Sequence, residues 1–222
     1  MPRKEEGRIR RMGKSFVDEV FRFPGYVISS PFKAFSDIKY EKKGSMRACV
    51  FFMAALMVVT VARQGYTGFQ FRTEDPQYIN IWMVMAGVLM QTVLVVAANW
   101  SVSTLTNGSG SAKDIFMVCM YAQYPYIWMN ILYILLSRVL SLNEAALANA
   151  CLGLGIVCIV FYGFVGLVSI HGYGFFQGIA SVILSVIAAV IIIFIILMIV
   201  MMGSEFIDFI RTVAKEITLH YL

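Results

Sequence analysis

A chain of 222 residues that is 59% apolar, only 14% charged and of mean hydropathy +0.77 has too little polar surface for a water-soluble domain, in which about a quarter of residues carry charge. Its net charge of +5 is concentrated, because residues 1–47 hold 12 of the 18 Lys and Arg. These numbers leave no room for a separate soluble catalytic domain. They also disfavour nucleic-acid binding, since the basic segment is short, mixed with acids and followed at once by apolar sequence.

Residues 1–45 read as a basic amphipathic segment, held on the cytoplasmic side and drawn to anionic headgroups. No apolar core with a cleavage site follows the basic residues, so no signal peptide is expected. Ile9, Met12, Phe16 and Val20 recur at helical spacing, with Arg8, Arg10, Arg11 and Lys14 largely off that line, the pattern of a helix resting in the interface. Pro24-Gly25 is expected to end it. A second short helix begins at Ser30-Pro31, with Ser30 a capping residue and Pro31 suited to the first helical position. Phe32, Phe35 and Ile38 give this second helix an apolar edge.

Five apolar runs follow, at 46–63, 79–105, 115–136, 145–170 and 175–203. The first is short, with Arg47 and Arg63 placed to snorkel to opposite interfaces. The last has no ionisable side chain and is long enough to cross a bilayer with tilt. Five crossings from a cytoplasmic N-terminus put the C-terminus outside and place 13 Lys and Arg inside against 5 outside. Beyond 203, Phe206, Phe209, Ile210, Val213 and Ile217 keep helical spacing, so residues 204–222 read as an amphipathic helix on the extracytoplasmic side. The expected fold is an all-α polytopic bundle of five transmembrane helices with flanking amphipathic helices, in the plasma membrane.

No Asp, Glu, Lys or Arg lies at mid-membrane, which argues against an ion-coupled transporter. His171 and His220 fall at opposite edges, the cysteines Cys49, Cys119, Cys151 and Cys158 have no metal-ligand spacing, and no nucleophile–base pair or phosphate loop is readable. No catalytic residue, cofactor or metal is expected. Gln91, Asn99, Gln123, Asn130 and Asn149 are expected to bond between helices, at about 0.6 kcal/mol each. Pro125 removes the hydrogen bond to the Tyr121 carbonyl and should kink its helix, so Tyr121, Gln123 and Pro125 form the candidate cavity wall. Asn99-Trp100 and the small-residue stripe Gly178, Ser181 and Ser185 are candidate packing positions.

Two surfaces are candidates for recognition. One, outside, joins Arg63, Tyr66, Thr67, Gly68 and Phe69. The other, inside, joins Phe32, Lys33, Phe35, Asp37, Lys39, Lys42 and Lys43. Both compositions also suit plain anchoring at the interface.

The run Pro31-Phe32-Lys33-Ala34-Phe35-Ser36-Asp37-Ile38-Lys39-Tyr40-Glu41-Lys42-Lys43-Gly44-Ser45 resembles the segment that precedes the first span in bacterial members of the Yip (Ypt-interacting-protein-like) family. Arg63 to Phe69, Asn99-Trp100, Asn107-Gly108 to Lys113-Asp114, and Tyr121-Ala122 with Pro125 match further motifs in order, covering about residues 28–205. The resemblance implies a five-span bundle with its termini on opposite sides. It also implies a membrane-protein partner, with an ABC-type solute (carbohydrate) importer as the class suggested. The expected function is therefore a non-catalytic membrane scaffold or accessory subunit. The alternative is a small channel, transporter or lipid-handling protein with a cavity near Pro125.

Overall fold

The computed structural model describes residues 17–72 and 78–220. Ile9, Met12 and Phe16 of the expected N-terminal helix lie outside the described residues, as does the side chain of Ile217. Among the described residues there is no strand.

A π-helical turn, Asp18–Arg22, leads directly into α1, Phe23–Ser29. Pro24-Gly25 therefore does not end the helix. The wider turn bonds Phe23 N–H to the Asp18 carbonyl and shifts the ladder just before Pro24, which has no N–H to place. Next comes α2, Pro31–Tyr40, where Pro31 takes the first helical position and Ser30 supplies its carbonyl rather than a side-chain cap. The long helices are α3, Met46–Tyr66; α4, Ile81–Leu105; α5, Ala112–Val139; α6, Ala145–His171; and α7, Phe175–His220.

Their ends are set by local chemistry. Asn80 accepts the Met83 N–H at the start of α4. Ser111 and Asp114 form a reciprocal capping box on α5, and Ser141 and Glu144 form another before α6. α6 stops at Gly172, whose φ of +72° is the left-handed conformation that glycine adopts without cost.

α5 is the hub. It packs along α6 and α3, and α2 lies against α6 across one end. The core at that end is Phe35, Ile38, Phe52, Ile115, Val118, Met120 and Tyr121, all buried. Tyr121 sits edge-on to Phe23 at 5.0 Å and to Phe52 at 5.8 Å, and its hydroxyl accepts the Ser45 N–H at 3.1 Å.

Among the described residues four helices are long and apolar enough to cross a membrane: Met46–Tyr66, Ile81–Leu105, Leu142–His171 and Phe175–Glu216. α5 is less apolar, yet its 28 residues run beside α3 from the Ser45–Tyr121 contact at one end to the Arg138–Tyr66 contact at the other. A helix sheathed by its neighbours can carry Tyr121, Gln123 and Asn130 that a lipid-facing helix could not.

α7 differs from the expectation of a span followed by a separate surface helix. It is one unbroken helix of 46 residues, about 69 Å long. Gly203 is tolerated inside it, because a lone glycine costs only about 1 kcal/mol and the ladder on both sides is intact. α7 leans on α4 through its first turns, and from Ile193 to Glu216 every residue is exposed.

Candidate functional site

Helix ends converge at the α2 end of the bundle around His171, the last residue of α6. Its Nδ1 accepts the Gly110 N–H at 3.2 Å, which leaves Nε2 as the donor to Asn99 Oδ1 at 3.0 Å. The Asn99 amide donates to Ser185 Oγ at 3.0 Å, and Ser185 donates to the Ser181 carbonyl at 2.7 Å. This buried chain joins the 107–111 loop, α6, α4 and α7. Tyr173 stacks on the imidazole at 5.0 Å and its hydroxyl meets Thr106 Oγ1 at 2.6 Å. Lys39 of α2 donates to the Ile170 carbonyl at 2.5 Å and to Ser109 Oγ, closing the last turn of α6.

This assembly makes a clamp. Both imidazole nitrogens are occupied, by the Gly110 N–H and by the Asn99 amide oxygen. Among the described residues no group of His, Cys, Asp and Glu is placed to hold a metal ion.

The charged segment before α3 is divided by burial. Phe35 is fully buried against Gly166, so it is core and not recognition surface. Asp37 is buried and accepts from Tyr26 OH at 3.2 Å and Lys43 Nζ at 3.0 Å. The Lys43 pKa is raised, first by Glu41 and then by Asp37, and that of Tyr26 is raised by burial and by the Asp37 charge. Phe32, Lys33, Lys42 and Lys43 remain exposed.

At the opposite end, Gly68 N–H donates to Ser137 Oγ at 2.9 Å, and Thr67 is buried with its hydroxyl on the Arg63 carbonyl. Arg138 donates to the Tyr66 carbonyl at 3.1 Å and lies over its ring, while Arg72 reaches the Gly65 carbonyl at 3.1 Å. Tyr66 and Phe69 are exposed. Of the outer surface expected from sequence, the backbone and Thr67 are therefore structural, and the two aromatics remain free for contact.

Between α3, α4, α5 and α6 lies a cavity of about 490 Å³. Gln123 and Tyr126 line it from α5, Gln91 and Thr92 from α4, Thr60 and Arg63 from α3, with Gly163 and Leu167 on α6. Tyr121 and Pro125 do not line it. Both are buried, since each faces the core from the far side of α5. Asn130 bonds back to its own Tyr126 carbonyl rather than across helices, and Asn149 is exposed. Trp100 is half-exposed, and Gly178 fits against Val168 where a β-carbon would collide. The sequence reading missed His171, Ser109 and Tyr173 as one unit. The signal for it was the pair of glycines, Gly108 and Gly110, whose lack of side chains admits His171 and Tyr173.

Neither a curated protein nor a solved structure matches the chain. A family model for the Yip1 domain matches residues 25–201, a range that begins in α1, takes in the clamp and the cavity, and ends within the apolar part of α7, so the chain belongs to the Yip1 domain family of membrane proteins.

Proposed function

We propose that the chain is a non-catalytic docking subunit of a larger membrane assembly. It crosses the bilayer five times, with α5 as the third crossing, its N-terminus in the cytoplasm and its C-terminus on the opposite side. The observation that carries this reading is α7. Apart from Gly178 and Ser181 near its start, its apolar stretch has no buried residue, and the helix then continues beyond Gly203 with Phe206, Phe209, Ile210 and Val213 exposed on one stripe. Lipid covers the part inside the bilayer. The 17 residues from Ser204 to His220 extend about 26 Å further and keep an apolar stripe beside Glu205, Asp208, Arg211 and Lys215. A helix that ends its own bundle's packing and keeps such a stripe suits a partner membrane protein. The resemblance of the segment before α3 favours an ABC-type importer as that partner.

Affinity isolation from native membranes at native expression, followed by quantitative mass spectrometry, tests this. The full chain should bring down a membrane-protein partner in stoichiometric amount, and a chain stopped after Gly203 should lose it. Recovery of the full chain with no stoichiometric partner would reject the docking reading.

A further inference from the structure

The cavity among α3, α4, α5 and α6 is lined at one end by Arg63, whose Nε has no hydrogen-bond partner among the described residues. Arg63 lies in the last turn of α3; its Nε is shut off from solvent without a hydrogen-bond partner, and its guanidinium forms no ion pair among the described residues. A buried charged donor left unpaired is among the costlier arrangements in a protein, and native structures relieve it with a ligand, an ion or water.

The lining is ordered along the helices. Arg63 is at the Tyr66 end, Gln91 and Gln123 are near the middle of α4 and α5, and Val118, Cys119 and Leu167 are toward the His171 end. Neither glutamine amide has a hydrogen-bond partner among the described residues. An inorganic anion would use Arg63 and leave the long apolar remainder empty. A purely apolar guest would leave Arg63 and both amides unpaired.

We propose that this cavity binds an anionic acyl lipid. An oxyanion head, carboxylate or phosphate, pairs with Arg63, and one alkyl chain runs toward Val118 and Leu167. The amides of Gln91 and Gln123 lie where they can donate to an ester carbonyl below a phosphate head. The volume is within the range of small-molecule sites, and charge-assisted bonds to an oxyanion are the natural complement of a guanidinium. This inference does not depend on α7 or on any protein partner.

Gly163 supplies an independent probe. It lines the cavity, and a β-carbon there would meet no atom within 4 Å, so a side chain added at this position starts from open space. The full chain in mild detergent, stripped of endogenous lipid, would be titrated with oleate, with phosphatidylglycerol and with monoolein, and bound lipid counted by native mass spectrometry. One oleate or one phosphatidylglycerol should bind, and whichever does so identifies the head as carboxylate or phosphate. Monoolein, which has the chain and ester but no oxyanion, should bind about tenfold more weakly or worse. Arg63→Gln and Gly163→Leu should each weaken the anionic lipid by about tenfold or more, while Arg63→Lys keeps it within a few-fold and Arg211→Gln matches the parent. Binding that survives either Arg63→Gln or Gly163→Leu, equal binding of monoolein, or no binding of either anionic lipid would overturn the proposal. Elution volume and melting temperature of each variant separate lost binding from lost folding.

Discussion

At the residue scale, two glycines three positions apart make opposite predictions. Gly65 has open space around it inside α3, so Gly65→Ala should hold or slightly raise stability, by up to about 1 kcal/mol. A β-carbon on Gly68 would overlap the Ser137 carbonyl, so Gly68→Ala must push the 66–72 loop off α5 and cost about 1–3 kcal/mol. Thermal unfolding of the purified chain in detergent reads both. His171→Ala strips the partners from Gly110 N–H and Asn99 Oδ1 together. Bonds of this kind are worth about 0.6 kcal/mol each on average in membranes. His171→Ala and Asn99→Leu should therefore be non-additive, with a coupling of about 0.5–1 kcal/mol in a double-mutant cycle, and strict additivity would break the chain described here. Lys43 gives a pH prediction. Its folded pKa is raised, so its contribution is whole below the unfolded lysine value near 10.4 and fades only as pH rises through the higher folded value. Lys43→Met should thus shift the melting temperature equally at about pH 6 and pH 9.

At the element scale, α7 and α5 are opposites. α7 is the most apolar helix and the least packed; α5 is the least apolar of the long helices and the most enclosed. Hydropathy reports the company a helix keeps, lipid or protein, and not its importance to the bundle. Among the described side chains of α7 beyond Gly203 none is buried, so stopping the chain there should leave the melting temperature within about 2 °C of the parent. A larger drop would mean that the end of α7 packs back on the bundle. Pro125 stands inside α5 without interrupting it, as one missing N–H is tolerated where the surrounding helices hold the backbone in place.

At the scale of the whole molecule, contacts sort the polar residues into two ends. Lys39, Ser109 and His171 meet at one, and Arg63, Gly68, Ser137 and Arg138 gather at the other. The five crossings proposed above would put those ends on opposite sides of the bilayer. Single cysteines at Lys42 and Lys113 should resist an impermeant thiol reagent in intact cells, and cysteines at Phe69 and Lys215 should react. Labelling of Lys42 and Lys215 from the same side would require an even number of crossings and reject this topology.

Much of the architecture was legible because it follows from chain-local physics. Unbroken apolar runs must be helical in lipid, and Pro31 starts a helix because its fixed φ and missing N–H suit the first helical position. The same local reading put Asn99 and Ser185 inside the membrane but not together, since 86 residues of sequence separate two atoms 3.0 Å apart. It ranked Phe35 and Lys39 as one surface, although only packing decides that the first is core and the second caps α6. It placed Arg63 at an interface but could not show that its Nε is buried without a partner at the mouth of a cavity, because a void belongs to no segment and exists only where four helices fail to close on one another. The sequence by itself therefore determined which stretches are apolar enough to enter a bilayer, because transfer free energy is summed along the chain. The tertiary structure alone decided which polar groups meet, because pairing energy depends on distances between atoms that the chain order does not fix.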